Sequence, residues 1–253
     1  MSGPRPVPPD SRTWLHQAAL FLDIDGTLLD LAPTPEGVRV PPALPAALHA
    51  LTLGLGGALA LVSGRPLGDI DRLFPDRFDA AGTHGAEWRL GGSEQGTPLH
   101  PAAELALVAA WLRDGLNRLP GVRLEYKPLA LALHYRAAPR WEAETQALAA
   151  QAVQTLGPAY RLQAGKAVVE ILPAGAAGKG SAIRRFMEHS PYAGRTPVFV
   201  GDDLTDEDGF AAVNALGGLS IRVGTGAGSQ ACYELPGPPE LRDWLVQLVA
   251  ALP

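Results

Sequence analysis

One apolar run constrains this chain more than any other, because it ends abruptly in two closely spaced carboxylates. Residues 19–28 read Ala-Leu-Phe-Leu-Asp-Ile-Asp-Gly-Thr-Leu. Large apolar side chains bounded by a turn signal predict a buried strand. Because side chains alternate across a strand, Asp23 and Asp25 would converge on one spot just beyond its carboxyl end. Open α/β sheets bind their ligands at that edge.

A pair of carboxylates at such a place favours a bound cation. Two carboxylates held together repel each other and raise one pKa unless a cation lies between them. Mg²⁺ takes oxygen ligands and leaves positions for a phosphate, so it fits this site. The simpler alternative is a solvated acidic turn, which suits an isolated Asp-x-Asp better than one followed by Gly26-Thr27-Leu28. We therefore predict a magnesium and phosphate site here.

Composition narrows the class of protein. The 253 residues, 47% of them hydrophobic, suffice for one large or two modest domains. The formal net charge of -5 does not favour nucleic acid as a partner. One cysteine, Cys232, excludes an internal disulfide framework, and we expect it to be buried. We expect no membrane partner, because glycines interrupt the most apolar stretch, 44–62. We therefore take the cytoplasm as the default location.

Two further segments carry groups suited to a phosphate. A buried strand predicted at 58–62 ends at Ser63 and Gly64, which offer a hydroxyl and an accessible backbone. The alternative is an ordinary helix cap. Lys179 precedes a helix predicted at 181–189, where the helix dipole and a cation together favour an anion.

Five acidic side chains follow another buried strand, predicted at 197–200. Asp202 comes first after the strand and is best placed to join the two aspartates of the opening strand at a metal. Asp206 and Glu207 are interpreted as residues that begin the next helix. The repeated strand-helix order predicts an α/β fold with a doubly wound parallel sheet.

Between residues 98 and 173 the order changes to helix, two strands, helix, two strands. This pattern predicts a small α+β cap domain inserted into the sheet domain. The predicted organisation is therefore a flexible proline-rich leader at 1–15, a core domain at 16–97 and 174–253, and a cap domain at 98–173.

Polar residues cluster on the predicted strands of the cap. Glu125 and Lys127 share one face of a strand, Arg136 follows the next strand, and Glu170 lies inside a third. Opposite charges on strand faces could simply form cross-strand pairs, and each residue taken alone fits that interpretation.

The ordered set of motifs resembles the haloacid dehalogenase superfamily of phosphohydrolases. The motifs are Asp23-x-Asp25-Gly-Thr-Leu, Ser63-Gly-Arg65, His84-Gly-Ala-Glu87, Lys179-Gly180 and Gly201-Asp202-Asp203. Within that superfamily, the run from Gly201 to Phe210 is similar to trehalose-6-phosphate phosphatases, as are Val168-Val-Glu-Ile-Leu-Pro and Glu125-Tyr-Lys127.

This resemblance implies roles for the core residues. Asp23 would be the nucleophile that accepts the phosphoryl group, and Asp25 the general acid and base. Ser63 and Lys179 would be catalytic groups that bind the remaining phosphoryl oxygens. Mg²⁺ would be held by Asp23, the backbone carbonyl of Asp25, and Asp202.

The resemblance also implies the substrate, a small-molecule sugar phosphate. The reaction would release trehalose and inorganic phosphate from trehalose 6-phosphate, through an aspartyl-phosphate, in trehalose biosynthesis. Glu125, Lys127 and Glu170 would contact the sugar, with Arg65 and Arg136 as further candidates. The residues give no indication of a synthase partner.

Three alternatives stay open. Another sugar-phosphate phosphatase of the superfamily could act on sucrose phosphate or on a mannosyl-phosphoglycerate type of compound. A phosphomutase would share the nucleophile and return the phosphoryl group to sugar. A non-catalytic sugar-phosphate sensor would be expected to lack one of Asp23, Asp25, Lys179 or Asp202, all of which are present.

Overall fold

Two β-sheets organise the chain, and each belongs to a separate unit. The computed structural model describes residues 5–32, 34, 37–96, 103–127, 129–174, 178–225 and 228–252. One unit comprises Met1–Gln95 and Gly178–Pro253, and the other Gly96–Ala177. Residues 1–4 of the predicted leader and residues 97–102, where the predicted cap begins, lie outside the described residues.

The larger sheet has eight strands. In chain order they are β1 (Ala18–Leu22), β2 (Leu59–Val62), β3 (Asp79–Gly82), β4 (Glu87–Leu90), β5 (Ser93–Gly96), β10 (Thr196–Gly201), β11 (Leu219–Val223) and β12 (Tyr233–Leu235). They are arranged in the order β12-β11-β10-β1-β2-β3-β4-β5. All pairs from β12 to β3 are parallel, and β4 pairs with β3 antiparallel.

The central strands are buried along their whole length, which explains their continuous apolar sequence. Every residue of β1 and β2 is buried, and β10 is buried from its second residue onward. A strand buried on both faces needs a covering layer on each side of the sheet. The predicted doubly wound α/β fold is confirmed.

Within the described residues, this unit contains five α-helices. They are α1 (Leu44–Gly54), α2 (Leu67–Leu73), α5 (Gly178–Met187), α6 (Glu207–Ala215) and α7 (Pro238–Ala250). α1 packs against α7, and α5 packs against α6. Among the described residues, no helix has the length and apolarity needed to span a membrane.

A hairpin of β4 and β5, for which the sequence analysis made no prediction, extends the sheet. Its best-buried side chain is Arg89, which has no exposed surface. The guanidinium donates to both carboxylate oxygens of Asp71, at 3.1 and 2.6 Å, and to the carbonyl of Phe78. These bonds attach the hairpin to α2 and to the segment before β3.

Residues 5–15, which the sequence analysis assigns to a mobile leader, contact the edge strand β12 and helix α7. Glu234 donates its backbone N–H to the carbonyl of Pro6, and Trp14 stacks on Trp244 with ring centroids 6.0 Å apart.

Near this edge, the expectation of a buried cysteine is wrong. Cys232 is exposed, because it lies in the irregular segment directly before β12.

The other unit contains a four-stranded sheet covered by two helices. Its elements are α3 (Ala103–Leu116), β6 (Arg123–Tyr126), β7 (Leu131–His134), α4 (Glu142–Leu156), β8 (Tyr160–Gly165) and β9 (Val168–Pro173). The strands are antiparallel in the order β6-β7-β9-β8. Alternate residues of β7 and β9, such as Leu133 and Ile171, form a core with Leu105 and Leu112 of α3. The opposite face of this sheet carries the polar residues.

Candidate active site

Polar side chains follow three neighbouring parallel strands of the larger sheet. Asp23 comes directly after β1, Ser63 after β2 and Asp202 after β10. β1 pairs with both other strands in parallel, so all three residues lie at one edge of the sheet. The backbone N–H of Asp23 donates to the carbonyl of Val200 at 3.0 Å, which continues the ladder to the site. All three polar side chains are buried.

The chain turns sharply after Asp23 and packs against Asp202. Leu29 donates its N–H to the carbonyl of Ile24, and the Thr27 hydroxyl donates to Asp23 Oδ2 at 3.0 Å. Gly26 has a φ of 82°, and a Cβ there would clash with the Asp202 carboxylate. Glycine is therefore required for both the backbone conformation and the close approach of the two acidic segments.

Lys179 links two of the buried carboxylates. Its Nζ donates to Asp23 Oδ1 at 2.7 Å and to Asp206 Oδ1 at 2.6 Å. Burial by itself would lower the pKa of Lys179, but the charges of Asp206, Asp23 and Asp203 outweigh burial and raise that pKa. The amine is therefore a fixed cation near the carboxyl ends of these strands.

The helix that carries Lys179 begins earlier than the sequence predicts. α5 starts at Gly178 rather than Ser181, so Lys179 lies in its first turn. Asp208 accepts a hydrogen bond from the N–H of Gly180 at 3.0 Å. A carboxylate already caps this helix, so the side-chain amine is the group of α5 that would bind an anion.

Asp23, Asp202 and Asp206 form a buried acidic cluster. One carboxylate oxygen from each lies within 4.8 Å of the others. Burial raises the pKa of Asp23; Lys179 opposes that rise, and the charges of Asp206 and Asp202 add to it. Three carboxyl groups thus surround the single ammonium of Lys179. All-oxygen donors with excess negative charge suit a hard divalent cation.

The cluster differs from the predicted ligand set in one member. Asp206 accepts the backbone N–H groups of Asp202 and Asp203 at 2.9 and 3.0 Å, and it also holds the lysine. It therefore does more than begin a helix. The resemblance implies Asp23, Asp202 and, from Asp25, the backbone carbonyl as metal ligands, and these assignments stay predictions.

The side chain of Asp25 is held by Arg65 rather than by the acidic cluster. Arg65 Nε donates to Oδ2 at 2.6 Å and Nη2 to Oδ1 at 2.7 Å, which is a bidentate pair. Arg65 also donates its backbone N–H to the hydroxyl oxygen of Ser63 at 3.2 Å. Because that oxygen accepts, the Ser63 hydroxyl hydrogen can still be donated to an anion. The sequence analysis names Arg65 only as a candidate sugar contact.

In the inserted unit, the register brings the predicted sugar-binding residues to one face. Glu125 pairs with Ala132, and Ala132 with Glu170, so both glutamates share a face across three strands. Lys127 Nζ donates to Glu170 Oε1 at 2.6 Å, and both side chains are buried. His134 Nε2 lies 2.8 Å from Glu125 Oε2. Burial raises the pKa of Glu125, but His134 and Lys127 outweigh burial and lower it overall.

Arg136 occupies a different position in that unit. It follows β7, is exposed, and donates to the backbone carbonyl of Lys166 in the β8–β9 turn at 3.3 Å. This hydrogen bond links Arg136 to that turn.

Comparisons with known proteins agree with this architecture. A family profile described as Trehalose-phosphatase matches residues 21–238. The chain belongs to the trehalose-phosphatase family.

Relatives and solved structures support the assignment. The chain is 46% identical to the trehalose-6-phosphate phosphatase of Escherichia coli K12, over 92% of this chain and 87% of the relative. It is 47% identical to a probable trehalose-phosphate phosphatase of Sinorhizobium fredii, over 95% and 89%. A crystal structure of a trehalose-6-phosphate phosphatase related protein superposes with a TM-score of 0.76 at 25% identity, covering 91% and 96%. The protein is therefore a phosphatase whose family implies a sugar phosphate substrate.

The sequence analysis missed two contacts at this trehalose-phosphatase site. It gave Asp206 no part in holding the lysine, and it did not pair Arg65 with Asp25. Asp206 lies four residues after Asp202, a spacing that allows a side chain to return to the backbone at the start of a turn. The pair of Arg65 and Asp25 joins residues 40 positions apart, and no local pattern signals it.

Proposed function

We propose that this protein is a Mg²⁺-dependent phosphatase of trehalose biosynthesis that acts in the cytoplasm and hydrolyses trehalose 6-phosphate to trehalose and inorganic phosphate. The observation that carries the proposal is the position of the Asp23 carboxylate. Its carboxylate is buried at the carboxyl end of the central strand, held by Lys179 on one oxygen and by Thr27 on the other. Membership of the trehalose-phosphatase family supports the substrate.

Asp23 is the nucleophile in this proposal. Its carboxylate attacks phosphorus, the phosphorus-oxygen bond to the sugar breaks, and an aspartyl-phosphate forms. Two hydrogen bonds fix the carboxylate, so little orientational freedom is lost on the way to the transition state. Lys179 and the Ser63 hydroxyl bind the phosphoryl oxygens as charge develops on them.

Asp25 moves the protons. It first donates a proton to the leaving sugar oxygen, and it then accepts one from the water that hydrolyses the aspartyl-phosphate. Arg65 holds both carboxylate oxygens, which sets the orientation of the group. At least one of the two hydrogen bonds from Arg65 must break when the Asp25 carboxyl group carries its proton.

The acidic residues fit a divalent cation. In the part of the chain that the structure describes, Asp23, Asp202 and Asp206 are the clustered side chains that could hold it, and all are hard oxygen donors. When bound, Mg²⁺ supplies positive charge that offsets the buried carboxylates and the phosphate. Without a cation, the cluster retains excess negative charge that would repel the substrate.

Glu125, Lys127 and Glu170 provide the sugar specificity in this proposal. They lie on one face of the inserted sheet, and carboxylates with an ammonium suit the many hydroxyl groups of a sugar. Recognition of the sugar part that does not react can then contribute to catalysis at phosphorus.

The test is the release of inorganic phosphate from trehalose 6-phosphate, compared with glucose 6-phosphate and sucrose 6-phosphate. Each substrate is assayed with Mg²⁺ and with EDTA. We expect a strong preference for trehalose 6-phosphate that EDTA abolishes and added Mg²⁺ restores. Equal activity on all sugar phosphates would refute the substrate, and full activity in EDTA would refute the metal.

A further inference from the structure

The turn at Thr83–Gly85 is strained, although no step of the proposed reaction uses it. Thr83 and His84 have φ values of 47° and 53°, and Gly85 has a φ of 86°. Residues with a Cβ avoid this region, and β-branched threonine avoids it strongly. Strain of this kind persists only where the surroundings fix the backbone, and it concentrates at functional sites.

The strained turn is bonded to the segment of residues 63–67, which we call the Ser63 loop. His84 donates its N–H to the Ser63 carbonyl at 3.1 Å, and Thr83 donates its N–H to the Arg65 carbonyl at 2.9 Å. A Cβ on Gly64 would lie 2.6 Å from His84 Nε2, so the imidazole packs directly on this glycine. The turn thus sets the position of the loop at both of its functional residues.

Glu87 joins the turn to the other end of the loop. Its Oε2 accepts the N–H of Leu67 at 3.1 Å and the hydroxyl of Thr83 at 3.1 Å. Glu87 is the first residue of β4 and lies opposite Gly82. A Cβ on Gly82 would lie 2.7 Å from the Arg65 carbonyl oxygen, so the loop backbone packs tightly against this point.

The same turn also contacts the segment that carries Lys179. A Cβ on Gly85 would lie 3.0 Å from the carbonyl oxygen of Gly178, the residue before the lysine. One strained turn therefore contacts the backbone next to both groups assigned to the phosphoryl oxygens.

We propose that Glu87 is a positioning residue for phosphate binding. By accepting from Thr83 and Leu67, its carboxylate stabilises the strained turn and fixes the Ser63 loop. The loop in turn places the Ser63 hydroxyl and the Arg65 guanidinium that holds Asp25. The proposal rests on the proposed function for the roles of those loop residues, and Glu87 itself touches no reacting atom.

The experiment compares Glu87→Ala, Glu87→Gln and Thr83→Val with the parent protein. Binding of inorganic phosphate is measured by calorimetry with Mg²⁺ present, and kcat and KM are measured for trehalose 6-phosphate. We expect Glu87→Ala to weaken phosphate binding about tenfold, and kcat to fall with it. Glu87→Gln keeps a carbonyl oxygen that can accept both bonds, so it should stay within about threefold of the parent.

Tyr192→Phe is the matched control. The Tyr192 hydroxyl oxygen lies 2.9 Å from both the Leu59 carbonyl oxygen and Asp79 Oδ2, at the opposite ends of β2 and β3 from the Ser63 loop, and its one hydrogen bonds to this pair of acceptors. It should lower the melting temperature without changing phosphate binding. Thr83→Val removes one of the two bonds to Glu87 and should give an intermediate loss of binding, which provides a second test if Glu87→Ala folds poorly.

Three results would overturn the positioning role. The first is unchanged phosphate binding in both Glu87→Ala and Thr83→Val. The second is a loss of phosphate binding in Glu87→Gln as large as that in Glu87→Ala. The third is a loss of phosphate binding in Tyr192→Phe as large as that in Glu87→Ala. If the parent protein binds phosphate but does not hydrolyse trehalose 6-phosphate, the proposed substrate fails. A selective loss of phosphate binding in Glu87→Ala would then still support the positioning role.

Discussion

The ion pair of Lys127 and Glu170 allows substrate recognition to be separated from stability. Nζ and Oε1 are 2.6 Å apart, and the two side chains are 8% and 7% exposed. Glu170→Ala removes the carboxylate and leaves a buried ammonium without this partner. Because that ammonium still interacts with the Glu125 charge, we expect the lower end of the usual cost, about 3 kcal/mol of unfolding free energy.

The same substitution should affect the substrate differently. A hydrogen bond to a charged group contributes about 1.5–3 kcal/mol, which corresponds to roughly a 10- to 150-fold loss in kcat/KM for trehalose 6-phosphate. p-Nitrophenyl phosphate has no sugar, so its kcat/KM should stay within about threefold of the parent value. The melting temperature should fall by about 6–12 °C.

Steady-state kinetics on both substrates and thermal unfolding are the assays. Glu144→Ala, on the exposed first turn of α4 in the same unit, is the control. It should leave kcat/KM for both substrates unchanged and lower the melting temperature by no more than about 4 °C, because it removes only a carboxylate near the helix N-terminus. If Glu170→Ala loses kcat/KM equally on both substrates, Glu170 does not recognise the sugar. An unchanged melting temperature would refute the cost assigned to the loss of this ion pair.

Three further substitutions test the core unit. Asp206→Asn should lower kcat by about 100-fold with little change in KM, because Lys179, the proposed phosphate ligand, loses a charged partner that fixes its position. Arg65→Met should reduce kcat/KM, which reports the transfer of the phosphoryl group to Asp23, about 10- to 100-fold more for trehalose 6-phosphate than for p-nitrophenyl phosphate. The nitrophenolate leaving group needs no proton from Asp25, whose orientation depends on Arg65. Arg89→Met breaks a buried ion pair and should cost about 2–4 kcal/mol in denaturant unfolding, while the exposed Arg72→Met should not.

Each of these predictions has a distinct contradicting result. Full kcat in Asp206→Asn would show that the lysine needs no second carboxylate. Equal losses on both substrates in Arg65→Met would mean that Arg65 binds the phosphate rather than orienting the acid. Similar denaturation midpoints for Arg89→Met and Arg72→Met would refute the stabilising role of the buried pair.

The parallel core was predictable because its signals are local. Continuous apolar runs predicted β1, β2 and β10. A polar group directly after each run predicted a site at the carboxyl ends of these strands. Strand pairing then brings Asp23, Ser63 and Asp202 to one edge without further information. In the inserted sheet, alternating residues likewise predicted that Glu125 and Lys127 share a face.

Long-range side-chain contacts were not predictable in the same way. The pair of Arg65 and Asp25 depends on how two loops approach each other, which composition and spacing do not encode. The β4–β5 hairpin did have a local signal, since Gly91 and Gly92 separate its strands and both have positive φ. Two glycines between short strands are typical of a tight hairpin turn.

The central claim, transfer of the phosphoryl group to Asp23, can be measured directly by chemical trapping. The protein is quenched during turnover of trehalose 6-phosphate with Mg²⁺ and treated with borohydride, which reduces an aspartyl-phosphate to homoserine. We expect mass spectrometry to find homoserine at position 23, more of it in Asp25→Asn assayed with p-nitrophenyl phosphate, and none in Asp23→Asn. Homoserine at another aspartate, or its absence in an actively turning-over sample and in Asp25→Asn, would contradict phosphoryl transfer to Asp23.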